Sequence, residues 1–493
     1  MRNSIDRQNS AAVAVILTVA AALCAGADDA AQLSEQDARG ALRKAVQFFR
    51  HDVSGHGGYL WRYTADLERR EGEGKADTST GWVQPPGTPT VGMAYLSAYQ
   101  YTGERCCLDA AEHAADALVK GQLRSGGWTY KIYFDVGRRR KYAYRVDEGD
   151  GFNTSTLDDD VTQSALRFLM RLDAELGFEN ERIHDTVTYG LEHLLEAQYP
   201  NGAWPQRFSR PFDPDEFPVI KAHYPESWSR TYPHENYTAY YTFNDNTIID
   251  MIATMFLAAE TYGDSRYRDA AIKSGDFILL AQMPDPQPAW AQQYNPEMCP
   301  AWARKFEPPA ITGNESQGVM RMLLTLYRKT GKQDYLDAVG RALHYFKSSL
   351  LPNGQLARFY ELKTNKPLYF TKDYELTYED DDLPTHYGFK SGSSLPVIEK
   401  QYKALVDNPP QQTKHGNATE RKLPQPPAMS ASLTNEARKI VDAMDERGAW
   451  GEKGRLRYHG DNDPATEIIQ SSTFARNLDT LARFIAAAAA ATP

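Results

Sequence analysis

Apolar residues recur every three or four positions in four successive pairs of segments, which is the pattern of amphipathic α-helices. A short break that contains a glycine separates the two members of each pair. The predicted helices are 89–101 and 106–120, 160–176 and 183–197, 246–261 and 265–281, and 316–329 and 333–348. Single helices are predicted over 37–50 and 472–490, and strand-like pieces are short, such as 130–134 and 356–360.

A turn that contains a tryptophan follows the second helix of these pairs. Residues 122–128 have the spacing Gln-x3-Gly-x-Trp, which recurs at 198–204. A looser copy spans 282–290, and a weaker one at 57–61 follows the first single helix. One turn repeated at the ends of helical hairpins indicates units that stack around a shared core. The sequence therefore predicts an all-α fold, an (α/α) hairpin toroid or incomplete barrel with a central cleft.

Composition adds domain boundaries to this picture. The chain has 493 residues, of which 41% are hydrophobic, as in an ordinary globular protein. Residues 1–27 resemble a secretory signal peptide, because a short apolar run follows two arginines and ends in small residues. We expect the toroid at 28–405, a linker rich in Pro, Gln, Asn and Lys at 406–425, and a helical segment at 426–493 docked on the main body. The protein is thus expected to be secreted, into the periplasm or the medium.

The net charge limits the partners. The formal charge of −10 would become −11 without residues 1–27, because Arg2, Arg7 and Asp6 would be lost. Such a surface repels polyanions on average, so an acidic polysaccharide needs a local basic site or a bridging cation. We expect no nucleic acid, no membrane and a monomer. The cysteines outside the signal peptide show neither a disulfide framework nor zinc spacing.

Acidic side chains recur at one point of three hairpins. Counting back 18 residues from the glycine break gives Asp159 in the second pair and Asp245 in the third. Glu315 falls within two residues of the same place in the fourth. Such residues often only cap helices, but converging carboxylates repel one another unless a cation is present. All-oxygen ligands suit Ca²⁺. The predicted ligands are Asp158, Asp159, Asp245 and Glu315.

Arginines with aromatic neighbours occupy loops near equivalent turns. Arg207 follows the second tryptophan turn, Arg304 lies in a loop with Trp302 and Phe306, and Arg358 precedes two aromatic residues. A single arginine of this kind usually packs its stem on the surface. Several at related positions predict a cleft that grips carboxylates.

Six of these segments, taken in order, resemble the family-10 pectate lyases. The matching segments are 156–159, 201–207, 242–245, 300–304, 313–316 and 357–360. The match covers about residues 90–395. The resemblance implies a toroid that cleaves polygalacturonate, an acidic polysaccharide, by Ca²⁺-assisted β-elimination. The implied substrate contacts are Asp158, Trp204, Arg207, Asn244, Arg304 and Arg358.

The resemblance also implies a general base. In the family, an arginine fourteen residues after the arginine of the Ala-Arg-Phe-Tyr motif removes the C5 proton. The same count from Arg358 reaches Lys372, so this chain departs from the family. Lysine loses its proton more readily than arginine, so Lys372 is the expected base, with Arg304 and Arg358 as its catalytic partners. The alternative is a solvent-exposed loop lysine, which would leave the chain without a base.

Three other functions stay open. The tryptophan turn also marks triterpene-type cyclases, which need a dry aromatic cavity and a membrane location. A glycoside hydrolase on the same fold would use a carboxylate pair, Asp158 with Asp245. A polysaccharide-binding protein without activity would follow from the loss of the base. The products distinguish them: elimination gives an unsaturated sugar that absorbs in the near ultraviolet, hydrolysis gives only reducing ends, and binding gives neither.

Overall fold

The computed structural model describes residues 33–410, 424–460 and 466–491. The expected signal peptide and most of the expected linker lie outside these residues. Within them the chain forms thirteen α-helices. The helices are α1 (Glu35–Phe48), α2 (Thr88–Thr102), α3 (Arg105–Gly121), α4 (Val136–Arg139), α5 (Val161–Glu175), α6 (Glu181–Glu196), α7 (Thr247–Tyr262), α8 (Ser265–Ala281), α9 (Glu315–Thr330), α10 (Gln333–Ser348), α11 (Leu395–Asp407), α12 (Ala431–Asp442) and α13 (Ser471–Ala491).

The long helices form hairpins arranged in two layers. Helices α13, α2, α5, α7, α9 and α11 form an inner series, in which each packs against the next. The outer helices α1, α3, α6, α8 and α10 each pack on one inner helix, α13, α2, α5, α7 and α9 respectively. The predicted (α/α) toroid is therefore confirmed, and the eight predicted hairpin helices agree with the observed bounds to within two residues. Helices α4 and α11 were not predicted, and α12 lies within the helical segment expected at 426–493.

Left-handed glycines end the inner helices. Gly103, Gly263 and Gly331 have φ angles of 70°, 71° and 71°, and the N–H of each donates to a carbonyl four residues earlier. A residue with a Cβ atom is strained in this conformation, whereas glycine adopts it freely. The glycine breaks seen in the sequence thus mark the points where α2, α7 and α9 stop.

The repeated tryptophan turn joins neighbouring hairpins. Trp128 is fully buried, and its Nε1 donates to the carbonyl of Leu118 at 2.8 Å. The side-chain amide of Gln122 donates to Gly126 O at 2.9 Å and to Thr186 O, in the outer helix of the next unit, at 2.8 Å. The equivalent donors in the next two copies are Gln198 with Trp204 and Gln282 with Trp290. Each glutamine therefore connects its own turn to the following unit, which explains its recurrence.

Short strands lie between the helices, more of them than the sequence indicated. They are β1 (Arg62–Thr64), β2 (Arg70–Gly72), β3 (Gly74–Ala76), β4 (Thr80–Trp82), β5 (Lys131–Tyr133), β6 (Ser155–Thr156), β7 (Arg207–Phe208), β8 (Tyr241–Thr242), β9 (Gln293–Tyr294), β10 (Ala310–Thr312), β11 (Leu356–Ala357), β12 (Phe359–Glu361), β13 (Pro367–Phe370), β14 (Leu376–Thr377), β15 (Lys390–Ser391), β16 (Gly451–Lys453) and β17 (Glu467–Gln470). Two sheets, β16-β17-β1-β2-β3 and β10-β12-β13-β14, are larger than a strand pair.

An antiparallel strand pair joins the two ends of each hairpin. Pairs β4·β5, β6·β7, β8·β9 and β10·β12 connect the strand before an inner helix to the strand after its outer helix. Strand β17, before α13, pairs in the same way with β1, after α1. Helices α13 and α1 therefore form one hairpin built from opposite ends of the described chain.

A further tryptophan turn leads into that hairpin. Trp450 Nε1 donates to Ile440 O at 2.8 Å, as Trp128 does to Leu118. This copy is not apparent in the sequence because Met444 stands where the first two copies have glutamine. No helix in the described ranges combines the length and the hydropathy needed to cross a bilayer.

Candidate active site

Two matching turns present the acidic residues at the N-terminal ends of α5 and α7. The segments Asp158–Asp160 and Asn244–Asn246 are single 3₁₀ turns. Their second residues, Asp159 and Asp245, have φ angles of 51° and 47°, and their third residues are also left-handed. Residues with a Cβ atom rarely adopt this conformation, and such strain persists where the surrounding structure imposes it. The register counted from the sequence is therefore the register of the backbone.

Three carboxylates of these turns form one cluster. Asp158, Asp159 and Asp245 each offer an oxygen, and the three oxygens lie within 4.8 Å of one another. Oxygens bound to one Ca²⁺ at 2.3–2.6 Å are at most about 5 Å apart. Asp158 Oδ2 accepts a 2.9 Å hydrogen bond from Tyr130, but Asp158 Oδ1 is buried with no partner in the described structure. A buried oxygen of this kind is normally satisfied by a hydrogen bond, a water or an ion, and three such carboxylates fit a hard cation.

The cluster is electrostatically unfavourable on its own. Burial raises the pKa of Asp159 to about 7, and the charges of Asp158 and Asp245 act in the same direction. The pKa of Asp245 is raised to about 6 by partial loss of hydration inside the cleft and by Asp158, although its side chain stays accessible from the cleft. Arg304 opposes both shifts. Each shift reflects first the loss of hydration on burial and then the repulsion between like charges that have no counter-ion.

Arg304 faces the cluster while paired to its own carboxylate. Its Nε and Nη2 donate to Glu307 at 2.8 and 2.6 Å, and Glu307 is almost completely buried. Arg304 itself is 40% exposed, and its Nη1 makes no hydrogen bond to any described residue. One edge of the guanidinium therefore holds the protein, and the other is free for a substrate carboxylate.

Arg358 is also paired with a glutamate, but through one nitrogen and with less of its side chain exposed. Its Nη2 donates to Glu315 Oε1 at 2.5 Å, and both side chains are largely buried. Glu315 also accepts hydrogen bonds from Thr312 and Asn314. Glu315 was predicted as a cation ligand, but it lies outside the carboxylate cluster, because the ion pair with Arg358 engages it.

Tyr387 lies between the two arginines. Its ring is 4.2 Å from Arg358 Cζ and 5.6 Å from Arg304 Cζ, and its hydroxyl donates to Glu307 at 2.8 Å. Cations over an aromatic face are attracted by the ring quadrupole, so Tyr387 orients both guanidinium groups. No sequence pattern pointed to Tyr387, which belongs to a loop outside the repeats. Glu307 could have been noticed as a carboxylate three residues after Arg304.

The remaining predicted contacts have different positions. Asn244 is buried, its Nδ2 donates to Asp245 Oδ2 at 2.5 Å, and its Oδ1 has no partner in the described structure. Arg207 is exposed, and its side chain makes no hydrogen bond to the described residues. Trp204 is fully buried and bonded to Leu194 O, so it cannot contact substrate. Its recurrence in the sequence reflects packing of the turn.

Lys372 does not join the cluster. It lies after β13 with its side chain 64% exposed, and its Nζ is 2.7 Å from Asp382 Oδ1. The hydrogen bond and the charge of Asp382 raise the pKa of Lys372, which is the direction opposite to the one a base requires. Tyr374, two residues later, packs on Phe306 beside Arg304, so the β13–β14 turn lies next to the arginine loop.

The central part of the chain matches a known family. Residues 122–356 match the sequence model of the family described as pectic acid lyase. These residues make up just under half of the chain, and over them the chain is similar to the pectic acid lyase family. The protein is accordingly a polysaccharide lyase. The range that matches the pectic acid lyase family contains the carboxylate cluster, Arg304 and Glu307, and it ends just before Arg358.

Solved structures show similar helical chains at low identity. A family 10 polysaccharide lyase from Cellvibrio cellulosa is 21% identical, with 65% of this chain and 97% of that one covered and a TM-score of 0.45. A mutant of a lyase of the same description, in complex with trigalacturonic acid, is 20% identical, with 65% and 98% covered and a TM-score of 0.45. A glycoside hydrolase family 76 α-mannanase from Bacteroides thetaiotaomicron is 10% identical, with 92% and 96% covered and a TM-score of 0.40. No curated protein matches the chain.

Proposed function

We propose that this protein cleaves polygalacturonate by β-elimination, with a calcium ion held by Asp158, Asp159 and Asp245. The observation that carries the proposal is the carboxylate cluster, whose oxygens lie within 4.8 Å of one another and face two arginines. The pectic acid lyase family over residues 122–356 supplies the reaction class.

The charge balance of the site supports a cation. Arg304 and Arg358 are each neutralised by a glutamate of the protein, Glu307 and Glu315. The three aspartates of the cluster are therefore left without a paired positive charge. A polyuronate would be repelled from this site unless a divalent cation bridged the aspartates and the substrate carboxylate. Calcium takes about six to eight oxygens, so the cluster leaves positions for the substrate and water.

The reaction removes the proton at C5 of a uronate, breaks the C4–O4 bond and forms a C4=C5 double bond, and the released oxygen takes up a proton. A calcium ion held by Asp158, Asp159 and Asp245 would supply positive charge to the substrate carboxylate, which would make the adjacent C5 proton more acidic. The free edge of Arg304 donates hydrogen bonds to that carboxylate as negative charge develops on it. Tyr387 and Glu307 hold the guanidinium in place during this step.

Lys372 is the proposed base. The resemblance assigns it this role, and the β13–β14 turn lies beside the Arg304 loop through the contact between Tyr374 and Phe306. Its ion pair with Asp382 must open before Lys372 can lose its proton, because the carboxylate stabilises the ammonium. Substrate that enters beside Arg304 would have to displace this contact.

The test uses purified protein without residues 1–27 and polygalacturonate, with calcium and with a chelator. We expect near-ultraviolet absorbance from an unsaturated product, and its loss with the chelator. Reducing ends without this absorbance would indicate a hydrolase and would refute the elimination. Binding without either product would indicate a binding protein without a functional base. Activity that persists in the chelator would refute the role of calcium.

Localisation and oligomeric state belong to the same proposal. We propose that the protein acts outside the cytoplasm, because residues 1–27 have the pattern of a signal peptide and the substrate is a polymer. We also propose that it is a monomer, and that 28–405 and 426–493 belong to one folded body, as the pairing of β17 with β1 supports. N-terminal sequencing of the mature protein and light scattering would test these points.

A further inference from the structure

A large cavity opens beside the carboxylate cluster. Its volume is about 820 Å³, and Tyr130, Thr156 and Arg207 are among its lining residues. Tyr130 donates to Asp158 Oδ2 at 2.9 Å, so the cavity begins one hydrogen bond away from the cluster. Pockets of about 300–1,000 Å³ hold drug-sized ligands, so this cavity holds more than one sugar residue.

The cavity walls combine aromatic rings with charged groups of both signs, Arg207 and Arg210 together with Asp213 and Glu216. Arg207 and Arg210 line it, both are exposed, and neither side chain has a hydrogen-bond partner among the described residues. Phe152 also lines it and is 47% exposed, which is high for a large apolar side chain. Aromatic rings offer flat apolar surface to the carbon faces of pyranose rings, and arginines bind carboxylates.

Contacts between aromatic rings hold the aromatic wall of the cavity in place. Tyr199 stacks on Phe217 with ring centroids 3.8 Å apart and packs edge-on against Phe212 at 4.7 Å. Phe212 and Phe217 belong to the loop 208–241, and all three residues line the cavity. Asp213 lines it as well, but its side chain caps a 3₁₀ turn by accepting from the N–H of Asp215 at 3.1 Å. The wall is thus preformed, which lowers the cost of ordering a bound ligand.

The groove continues past Arg210. A second cavity of about 220 Å³ shares Phe208 and Arg210 with the first and extends to Arg124 and His193. The two cavities together lead away from the cluster on the Tyr130 side, whereas Arg304 and Arg358 come from the loops after α8 and α10.

We infer that these cavities bind the non-reacting part of a long uronate chain, with Arg210 as a residue that sets the preference for chain length. The inference rests on the proposed function and extends it, because it names which part of the chain contacts which wall. Arg207, next to Tyr130, contacts the residue nearest to the cluster, and Arg210 contacts a more distant one. A short oligomer that spans only the cluster never reaches Arg210.

The test compares Arg210→Ala with wild type on galacturonate oligomers of three and of six residues. Both kcat/KM by ultraviolet absorbance and affinity by calorimetry are measured in the presence of calcium. The matched control is Lys221→Ala, which removes one positive charge from the same loop at a position that does not line the cavity. We expect Arg210→Ala to lose about tenfold in kcat/KM and in affinity on the six-residue oligomer, as for one charged contact, and to keep the wild-type values on the trimer. The Lys221→Ala control should keep the wild-type kcat/KM and affinity on both oligomers.

The inference is overturned if Arg210→Ala reduces kcat/KM and affinity equally on both oligomers, or reduces them on neither. Calorimetry separates this failure from a failure of the proposed function. If the oligomers bind with a length preference that depends on Arg210 but are not eliminated, the groove stands and the reaction is wrong. If only oligomers of another uronate bind in this way, the groove stands and galacturonate is the wrong substrate. If no uronate oligomer binds, both are wrong.

Discussion

Arg167 on α5 connects the two acidic turns. Its Nη2 contacts Asp160 Oδ1 at 2.7 Å and Oδ2 at 2.5 Å, and its Nη1 donates to Thr254 Oγ1 on α7 at 3.1 Å. Asp160 directly follows the cluster residues Asp158 and Asp159, and α7 follows the turn that carries Asp245. One side chain therefore links the first carboxylate turn to the helix that follows the second.

We predict that Arg167→Ala weakens cation binding although Arg167 is not a ligand. The substitution leaves Asp160 half-buried and unpaired, so the free energy of unfolding should fall by about 1–3 kcal/mol. The calcium affinity, measured by calorimetry, should fall as well because the turns lose their common anchor. Arg171→Ala is the control, since Arg171 is an exposed arginine one turn further along α5. A variant that is less stable but binds calcium as well as wild type would restrict Arg167 to a structural role.

Removing one carboxylate from the cluster should affect thermal stability in opposite directions without and with calcium. We predict that Asp245→Ala raises the melting temperature of calcium-free protein, because one of three mutually repelling carboxylates is removed. The same variant should lose most of the calcium-induced rise in melting temperature, which depends on the ratio of free calcium to its dissociation constant. Thermal melts with chelator and with calcium check both halves. An unchanged calcium response would remove Asp245 from the site.

The ion pair of Arg304 with Glu307 allows binding and stability to be separated. Arg304→Ala leaves the buried Glu307 carboxylate unpaired, so we expect a loss of stability of about 2–4 kcal/mol together with a loss of activity. The double variant Arg304→Ala with Glu307→Gln should recover much of the stability and none of the activity. Denaturant unfolding and kcat/KM on polygalacturonate measure the two effects. Recovery of activity in the double variant would show that Arg304 does not contact substrate.

Variants of Lys372 and Asp382 test the identity of the base through the pH dependence of the rate. If Lys372 is the base, Lys372→Ala should cost at least about 100-fold in kcat. Lys372→Arg should restore some rate, with an optimum at higher pH. Asp382→Asn removes the charge that raises the pKa of Lys372, so the rising limb of the pH–rate profile should move to lower pH.

The control for the base is Asp380→Asn, because Asp380 pairs with Lys390 in the same acidic run. The Asp380→Asn variant should have the same pH–rate profile as the wild type. Rates of Lys372→Ala within a few-fold of wild type would identify Lys372 as an exposed loop lysine and leave the base unassigned.

Asp250 on α7 should make stability depend on pH. Burial and the charge of Asp160 raise its pKa to about 7, against the opposing effect of Arg167. Between pH 4 and 7 the folded state therefore keeps a proton that the unfolded chain loses, so stability falls as the pH rises through this range. We predict that Asp250→Asn gains stability over wild type at pH 8 and little at pH 4.5, measured by urea unfolding. The control is Asp269→Asn on α8, an exposed position. An equal gain at both pH values would contradict the titration.

The hairpin helices and the acidic register can be predicted from the amino-acid sequence alone. The periodicity of apolar residues, the glycine breaks and the 18-residue count to Asp159 and Asp245 are local features, and the backbone reproduces them. The tryptophan turn was found correctly but misinterpreted for Trp204, because burial and substrate contact leave the same recurrence in a sequence. The copy at Trp450 was missed because its glutamine is replaced.

The contacts between groups that are distant in the sequence follow from the packing of the hairpins. This packing paired Arg358 with Glu315 instead of leaving the glutamate for a cation, held Lys372 against Asp382, and joined α13 to α1 across the whole chain. A helix or a turn is set by interactions between residues a few positions apart, which a sequence pattern records. The choice among several possible charged partners depends on distances and burial that exist only after the hairpins have packed.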